Sequence, residues 1–231
     1  MKANTHSLII DQSAPFADEL SLELSLLTNS FEKTFHKKGE VLFREDHPAW
    51  CMYYIETGKV KLFKYGTDGK EQIIKLAHAG EFLAYASLLH HTKYNVSATI
   101  IEDATLIVIP KEDFMDMFSQ SSLIASYFTQ LLCQDIIDTE KRLTDMAYRP
   151  VRGRLAEVLL SLDKIFHQEN EEEEDFISLS RQDLASLLGT AKETVIRILS
   201  EFKGAMLITT DGPKISILNP QGLLHISLFY N

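Results

Sequence analysis

Residues Ile177 to Leu218 read ISLSRQDLASLLGTAKETVIRILSEFKGAMLITTDGPKISIL, and their punctuation decides the fold of the C-terminal part of the chain. Ser180 with Asp183, and Thr190 with Glu193, each place a side-chain oxygen at a helix start and a carboxylate three residues on. That pairing satisfies free backbone amides at a helix N-terminus. Two short helices are therefore expected, beginning at Arg181 and Ala191, with a tight turn at Gly189-Thr190 between them. Leu184, Leu187 and Leu188 on the first can pack on Val195, Ile198 and Leu199 of the second, which leaves Lys192, Glu193, Ile196 and Arg197 on a different face. This is the pattern of a helix-turn-helix. Beyond it, Leu207 to Thr210 and Lys214 to Leu218 flank Asp211-Gly212-Pro213, which reads as a β-hairpin standing as a wing. A helix pair with a glycine turn occurs in many cores. Strand, capped helix, glycine turn, charged exposed helix face and hairpin in this order are far more specific.

Working toward the N-terminus, Gly153 to Phe166 keeps helical spacing through Leu155, Val158, Leu159, Leu162 and Ile165. An acidic run follows, Glu169 and Glu171 to Asp175, which reads as an exposed loop because adjacent like charges repel. Pro150 disfavours helix at Arg149, so a hinge is expected over Tyr148 to Val151. From Lys111 to Arg149 there is neither glycine nor proline, and the segment is expected to be largely helical. Within it Ala125, Phe128, Leu132, Ile136, Thr139, Leu143 and Met146 follow steps of three and four, the seam of a two-stranded coiled coil. Phe128, Leu132, Ile136, Leu143 and Met146 are accordingly expected to join two copies of the chain. Leu131 and Ile137 form a second strip suited to packing on the chain's own N-terminal part, and an ordinary core helix with a wide apolar face is the other reading.

Before Lys111 the texture is different. Glycines at Lys38-Gly39, Thr57-Gly58, Asp68-Gly69 and Ala79-Gly80 punctuate short β-rich runs such as MYYIE, KVKLFKY, EQIIKL and ATLIVIP, which indicates an antiparallel roll or barrel from Phe35 to Pro110. Leucines from Leu20 to Phe31 read as a short helix ahead of it. The division expected is 1–120 for the β domain, 121–149 for the joining helix and 150–231 for the winged helix-turn-helix, an α+β architecture. No stretch approaches the ~18 apolar residues of a membrane span, and the start lacks an extended apolar core with a cleavage site, so a cytoplasmic protein is expected. Two cysteines, Cys51 and Cys133, supply neither a disulfide framework nor a cysteine-only metal set, and each is expected as a buried, inert thiol.

The formal net charge of −10 argues against holding nucleic acid by bulk positive charge. The excess is unevenly placed: the acidic run alone holds six negative charges. From Phe176 onward, Arg181, Lys192, Arg197, Lys203 and Lys214 outnumber Asp183, Glu193, Glu201 and Asp211. The C-terminal part is thus locally compatible with DNA.

The chain resembles the CRP/FNR superfamily, dimeric bacterial regulators that include the cyclic-AMP receptor protein. The likeness runs from HKKGEVLFRE through MYYIETGKVKLFKYGTDGKEQIIKLAHAGEFLAY and MAYRPVRGRLAEVLLSL to SRQDLASLLGTAKETVIRIL, which is almost the whole chain. It implies an N-terminal double-stranded β-roll of the cyclic-nucleotide-binding, jelly-roll type, a dimerisation helix and a DNA-binding winged helix-turn-helix. By position it implies that Lys192, Glu193 and Arg197, with Ile196 between them, face the bases. Ser180, Arg181, Thr190 and Thr194 would then meet phosphates, with Lys214 doing so from the wing. The chemistry agrees, since arginine pairs with guanine and glutamate accepts from cytosine; that Glu193 only caps its helix, or Arg197 only meets phosphate, are the other readings. The acidic run falls where the cyclic-AMP receptor contacts RNA polymerase, which makes polymerase an expected partner beside double-stranded DNA.

In relatives that bind cyclic nucleotides a Gly-Glu pair and an Arg-Ser pair hold ribose and phosphate. Here Ala84-Tyr85 stands for the first, and Asn95-Val96 or Val96-Ser97 for the second. A phosphate buried without arginine loses its charge-assisted fork, so an effector other than cyclic AMP is expected. Tyr85, Tyr94, Asn95 and Thr139 are candidate pocket residues for such an effector. An iron–sulfur cluster needs four cysteine ligands and two are present; haem stays open through His78, His90 and His91. No resident cofactor or metal is expected, and no nucleophile–base set points to an enzyme. A regulatory module of another protein, without DNA readout, is the alternative function.

Overall fold

The computed structural model describes residues 23–25, 28–90, 93–167 and 176–229. Of the expected Leu20–Phe31 helix, 23–25 and 28–29 are helical and part lies outside the described residues. The acidic run and His91 lie outside them entirely. The described residues form two compact units, one reaching Lys64 and resuming from Ile74 to Ile136, the other combining Tyr65–Ile73 with the chain from Ile137 onward.

The first unit is built on six strands: β1 (Lys33–His36), β2 (Val41–Phe43), β3 (Cys51–Tyr65), β4 (Glu71–His78), β5 (Phe82–Leu83) and β6 (Ser97–Pro110). The sheet order is β1-β6-β3-β4, with β2 on β6 and β5 on β3. Alternating Val, Ile, Tyr and Phe suit these strands because branched and aromatic side chains pack on a pleated surface. Thr57-Gly58, read from sequence as a turn, instead lies inside one long strand, so MYYIE and KVKLFKY are continuous. The register against β6 slips on both sides of Thr57. Gly58 has φ +86°, and a Cβ there would come within 2.3 Å of the Asp103 carbonyl oxygen, so only glycine allows this bulge and the bend it gives the roll. Asp68-Gly69 does turn the chain: the Gly66 amide donates to Lys70 O at 2.8 Å and that of Gly69 to Gly66 O at 2.9 Å.

Helices close the roll: α1 (Tyr85–Leu89), α2 (Lys111–Gln120) and the start of α3 (Ser122–Tyr148). The glycine-free stretch is therefore two helices, divided at Ser121, which is extended at φ −109°, ψ 116°. Its hydroxyl accepts from the Ile124 amide at 3.2 Å, a cap that starts α3 without glycine or proline. Phe128 sits at the centre of this core, fully buried, with ring centroids of Phe114 at 4.9 Å, Phe82 at 5.1 Å and Tyr85 at 5.5 Å. This corrects its expected place on a dimer seam, since a side chain closed inside its own roll offers nothing to a partner. Leu132 is likewise half-buried against the roll. Ile136, Leu143 and Met146, by contrast, are exposed at 58%, 69% and 41%. Cys51 is buried as expected, whereas Cys133 is exposed on α3.

In the second unit α3 ends at Tyr148 and α4 (Val151–His167) begins past Pro150, as the proline requires. Leu155, Ala156, Leu159 and Leu162 of α4 are buried. After β7 (Ile177–Ser178) come α5 (Arg181–Leu188), α6 (Lys192–Gly204), the hairpin β8 (Ile208–Asp211) and β9 (Lys214–Ile217), and α7 (Pro220–Phe229). The small sheet has the order β7-β9-β8. Helix α7, which packs against α4, was not anticipated. Its signal is Asn219-Pro220: the Gly222 amide donates to Asn219 Oδ1 at 2.8 Å, an asparagine cap before a proline in the first helical turn.

Candidate nucleic-acid interface

Helix α5 starts as its sequence dictates. The Asp183 amide donates to Ser180 Oγ at 2.9 Å, and the Ser180 hydroxyl donates in turn to Asp183 Oδ2 at 2.6 Å. The helix ends at Gly189, left-handed at φ 61°, ψ 47°. The Thr190 amide then reaches back to Ala185 O at 3.1 Å and turns the chain toward α6. The second capping pair is not formed: the N-cap of α6 is Ala191, and no side chain caps it. The tight reversal uses Thr190 itself, so its hydroxyl sits one residue too early, and Glu193 has no capping threonine to answer.

Leu184 and Leu188 of α5 and Val195, Ile198, Leu199 and Phe202 of α6 are buried, and Leu187 half-buried. Their packing leaves Lys192, Glu193, Ile196 and Arg197 exposed together, as the periodicity requires. Arg197 Nη1 donates to Glu201 Oε1 at 2.6 Å, and Arg152 of α4 pairs with the other oxygen of the same carboxylate. Of the expected phosphate set, Thr190 and Thr194 are half-buried at the start of α6. Lys214 holds its ammonium 3.8 Å from the centre of the Phe176 ring. Arg181 donates Nη1 and Nη2 to the carbonyls of Pro213 and Gly212, both at 3.0 Å, which ties it to the wing.

Three donors that sequence reasoning missed fasten the C-terminal end of α5, where helix carbonyls lack intrahelical partners. Gln72 Nε2 donates to Ser186 O at 2.6 Å, Arg142 Nη2 to Leu187 O at 2.8 Å, and Arg154 Nη1 to Leu188 O at 2.5 Å. Nothing local signals them, because the donors lie far from α5 in sequence.

Two family models match the chain: a cyclic nucleotide-binding domain over residues 33–121 and a Crp-like helix-turn-helix domain over residues 153–226. The chain belongs to the CRP/FNR family of transcription regulators. Among relatives, the cyclic AMP receptor protein of Thermus thermophilus is 27% identical over 77% of this chain and 79% of its own length. The transcriptional activator protein Anr of Pseudomonas aeruginosa is 27% identical over 79% of this chain and 75% of its own. Among solved structures, that of FixK2 from Bradyrhizobium japonicum superposes with a TM-score of 0.74 at 22% identity, covering 85% of this chain and 96% of the other. As a CRP/FNR regulator the protein carries a helix-turn-helix DNA-binding domain, and the reading as a module without DNA readout is set aside.

The candidate effector residues of this CRP/FNR roll are placed as follows. Tyr94 is buried, stacks on Phe43 at 4.3 Å, and donates its hydroxyl to Cys51 O at 3.0 Å. Asn95 Oδ1 accepts from the Ser87 hydroxyl at 2.9 Å. Tyr85 donates to Asp135 on α3. Burial, joined by the neighbouring Asp135 carboxylate, pushes the Tyr85 phenol well above the ordinary tyrosine range. All three close on the roll's own groups. Thr139 is exposed on α3. His78 Nδ1 lies 2.9 Å from Ala79 O, and among the described residues no cluster of three or more His, Cys, Asp and Glu could hold a metal. No helix among the described residues is long and apolar enough to cross a membrane.

Proposed function

We propose that this CRP/FNR regulator works in the cytoplasm as a homodimer that reads an inverted-repeat operator through α6. The observation that carries the reading is the joint exposure of Lys192, Glu193, Ile196 and Arg197 on the second helix of a Crp-like helix-turn-helix. Arg197 is assigned to a guanine and Glu193 to a cytosine of the opposite strand, one helical turn apart on one face. Lys192 adds a point charge without arginine's fork, and Ile196 suits a thymine methyl. Thr190, Thr194 and Lys214 meet phosphates, while Ser180 fixes α5 and Arg181 fixes the wing. The exposed stripe of Ile136, Leu143 and Met146 supports pairing of two α3 helices, which would set the recognition helices in successive major grooves roughly 34 Å apart.

The effector in this reading is not cyclic AMP. The place of the phosphate-binding arginine holds uncharged residues, and Tyr85 and Asn95 are engaged by Asp135 and Ser87. The acidic run Glu169–Asp175 is assigned to contact with RNA polymerase. Retention of genomic fragments at graded salt, with sequencing of what is kept, tests the function. An inverted repeat with half-sites about one helical turn apart is expected; retention without sequence preference, with and without cyclic AMP, contradicts it.

A further inference from the structure

We propose that Glu201 is a specificity-determining residue that holds the Arg197 guanidinium in place for base reading and is itself held by Arg152. The inference rests on the assignment of Arg197 to a base. An isolated exposed pair at i,i+4 spacing is worth little, because both side chains lose freedom to gain a screened attraction. With its side chain 66% exposed, Arg197 would swing freely if Glu201 were its only restraint. Glu201 is restrained from the other side. Arg152 pairs with the second carboxylate oxygen, and its guanidinium lies 5.1 Å from the centre of the fully buried Phe202 ring. The result is a chain of restraint from α4 through the carboxylate to the recognition helix.

Three features make this arrangement suited to readout. Only Nη1 of Arg197 is engaged by Glu201, which leaves further donors of the fork for a guanine edge. One carboxylate between two guanidinium groups carries a net positive charge, so the trio does not repel the duplex. Ordering the side chain before DNA arrives removes a cost otherwise met on binding, and a guanidinium of fixed orientation accommodates other bases poorly.

The test uses the full chain and the operator it selects, beside the same operator with the candidate guanine replaced in each half-site. Affinities are measured for wild type, Glu201→Gln, Arg197→Ala and the double variant. Glu201→Gln is expected to lose about two- to tenfold of guanine discrimination per half-site. It should bind non-operator DNA more tightly, because a negative charge beside the phosphates is gone. On the Arg197→Ala background it should change discrimination no further. Arg152→Met, which keeps packing on Phe202, should move discrimination in the same direction. If Glu201→Gln discriminates as well as wild type or better, or weakens operator and non-operator alike, the role assigned to Glu201 is overturned. If Arg197→Ala itself leaves the guanine preference intact, the base-reading assignment falls and takes this role with it.

Discussion

Arg181 and Arg197 carry the same charge, and only their neighbours separate their work. Two nitrogens of the Arg181 fork donate to the Pro213 and Gly212 carbonyls, whereas Arg197 engages Glu201 through Nη1. Arg181→Ala should therefore loosen the wing, at a cost of about 1 kcal/mol for the lost hydrogen bonds. Faster amide exchange over β8 and β9, with weakened binding to all DNA alike, is the expected reading; a changed base preference would place Arg181 among the base readers instead. Phe128 and Ile136 pose the same problem on α3, where they share one apolar line. Periodicity reports which residues share a face and says nothing of what covers it, so only the structure puts Phe128 among Phe82, Tyr85 and Phe114. Phe128→Ala should cost about 3–5 kcal/mol of folding stability by opening a cavity. Chemical denaturation checks this, and a stable but monomeric variant would return Phe128 to the seam. The recognition face was legible because Lys192, Glu193, Ile196 and Arg197 alternate with buried Val195, Ile198 and Leu199. The partners Glu201 and Arg152 of that face were not, since one of them comes from another helix.

At the scale of elements, caps and glycines were readable where the chemistry is local. Ser180 with Asp183 marked α5, and Ser180→Ala should cost about 1 kcal/mol. Gly189 is demanded by its backbone, at φ +61°, because the atoms a Cβ there would meet, Met146 Cε and Gln72 Oε1, are the ends of flexible side chains that can move aside. Gly189→Ala should thus lower stability by the strain of left-handed backbone, about 1–2 kcal/mol, read as a lower unfolding midpoint. The β3 bulge at Gly58 and the cap at Ser121 misled the reading in opposite ways. A glycine in a β run looks like a turn until its partner strand is known, and a serine between apolar runs looks like helix. Beyond these, α4 carries a pH-sensitive tie. Burial opposes ionisation of Glu157, but hydrogen bonds from Lys141 and Arg149 outweigh it and hold the carboxyl below its usual range. A depressed folded value means the stabilisation is present at neutral pH and is lost as the pH falls below about 4. The stability gap between wild type and Glu157→Gln should narrow over that window in acid-unfolding measurements. A gap independent of pH would show that the ion pairs contribute nothing.

For the whole molecule the net charge of −10 and a DNA-binding role are compatible because charge is segregated along the chain. The fold class and the order of its parts were legible because each part has its own texture: glycine-punctuated β runs, a long apolar-striped helix, then caps and a hairpin. Effector identity was not, because Tyr85, Tyr94 and Asn95 are engaged by Asp135, Cys51 and Ser87 of the roll, pairings that no local pattern announces. In the proposed dimer, assembly rests on the exposed stripe of α3, so Ile136→Glu should yield monomers in sedimentation, with operator affinity greatly weakened while the fold is kept. A dimer that persists would move the interface elsewhere. Selection of binding sites from random DNA with wild type and Arg197→Ala shows whether α6 reads an inverted repeat with Arg197 on a guanine. Paired half-sites are expected for wild type, and loss of preference at one base pair of each half-site in the variant, at about 1–3 kcal/mol per half-site. The same base preference from both proteins would contradict the assignment of Arg197 to a guanine.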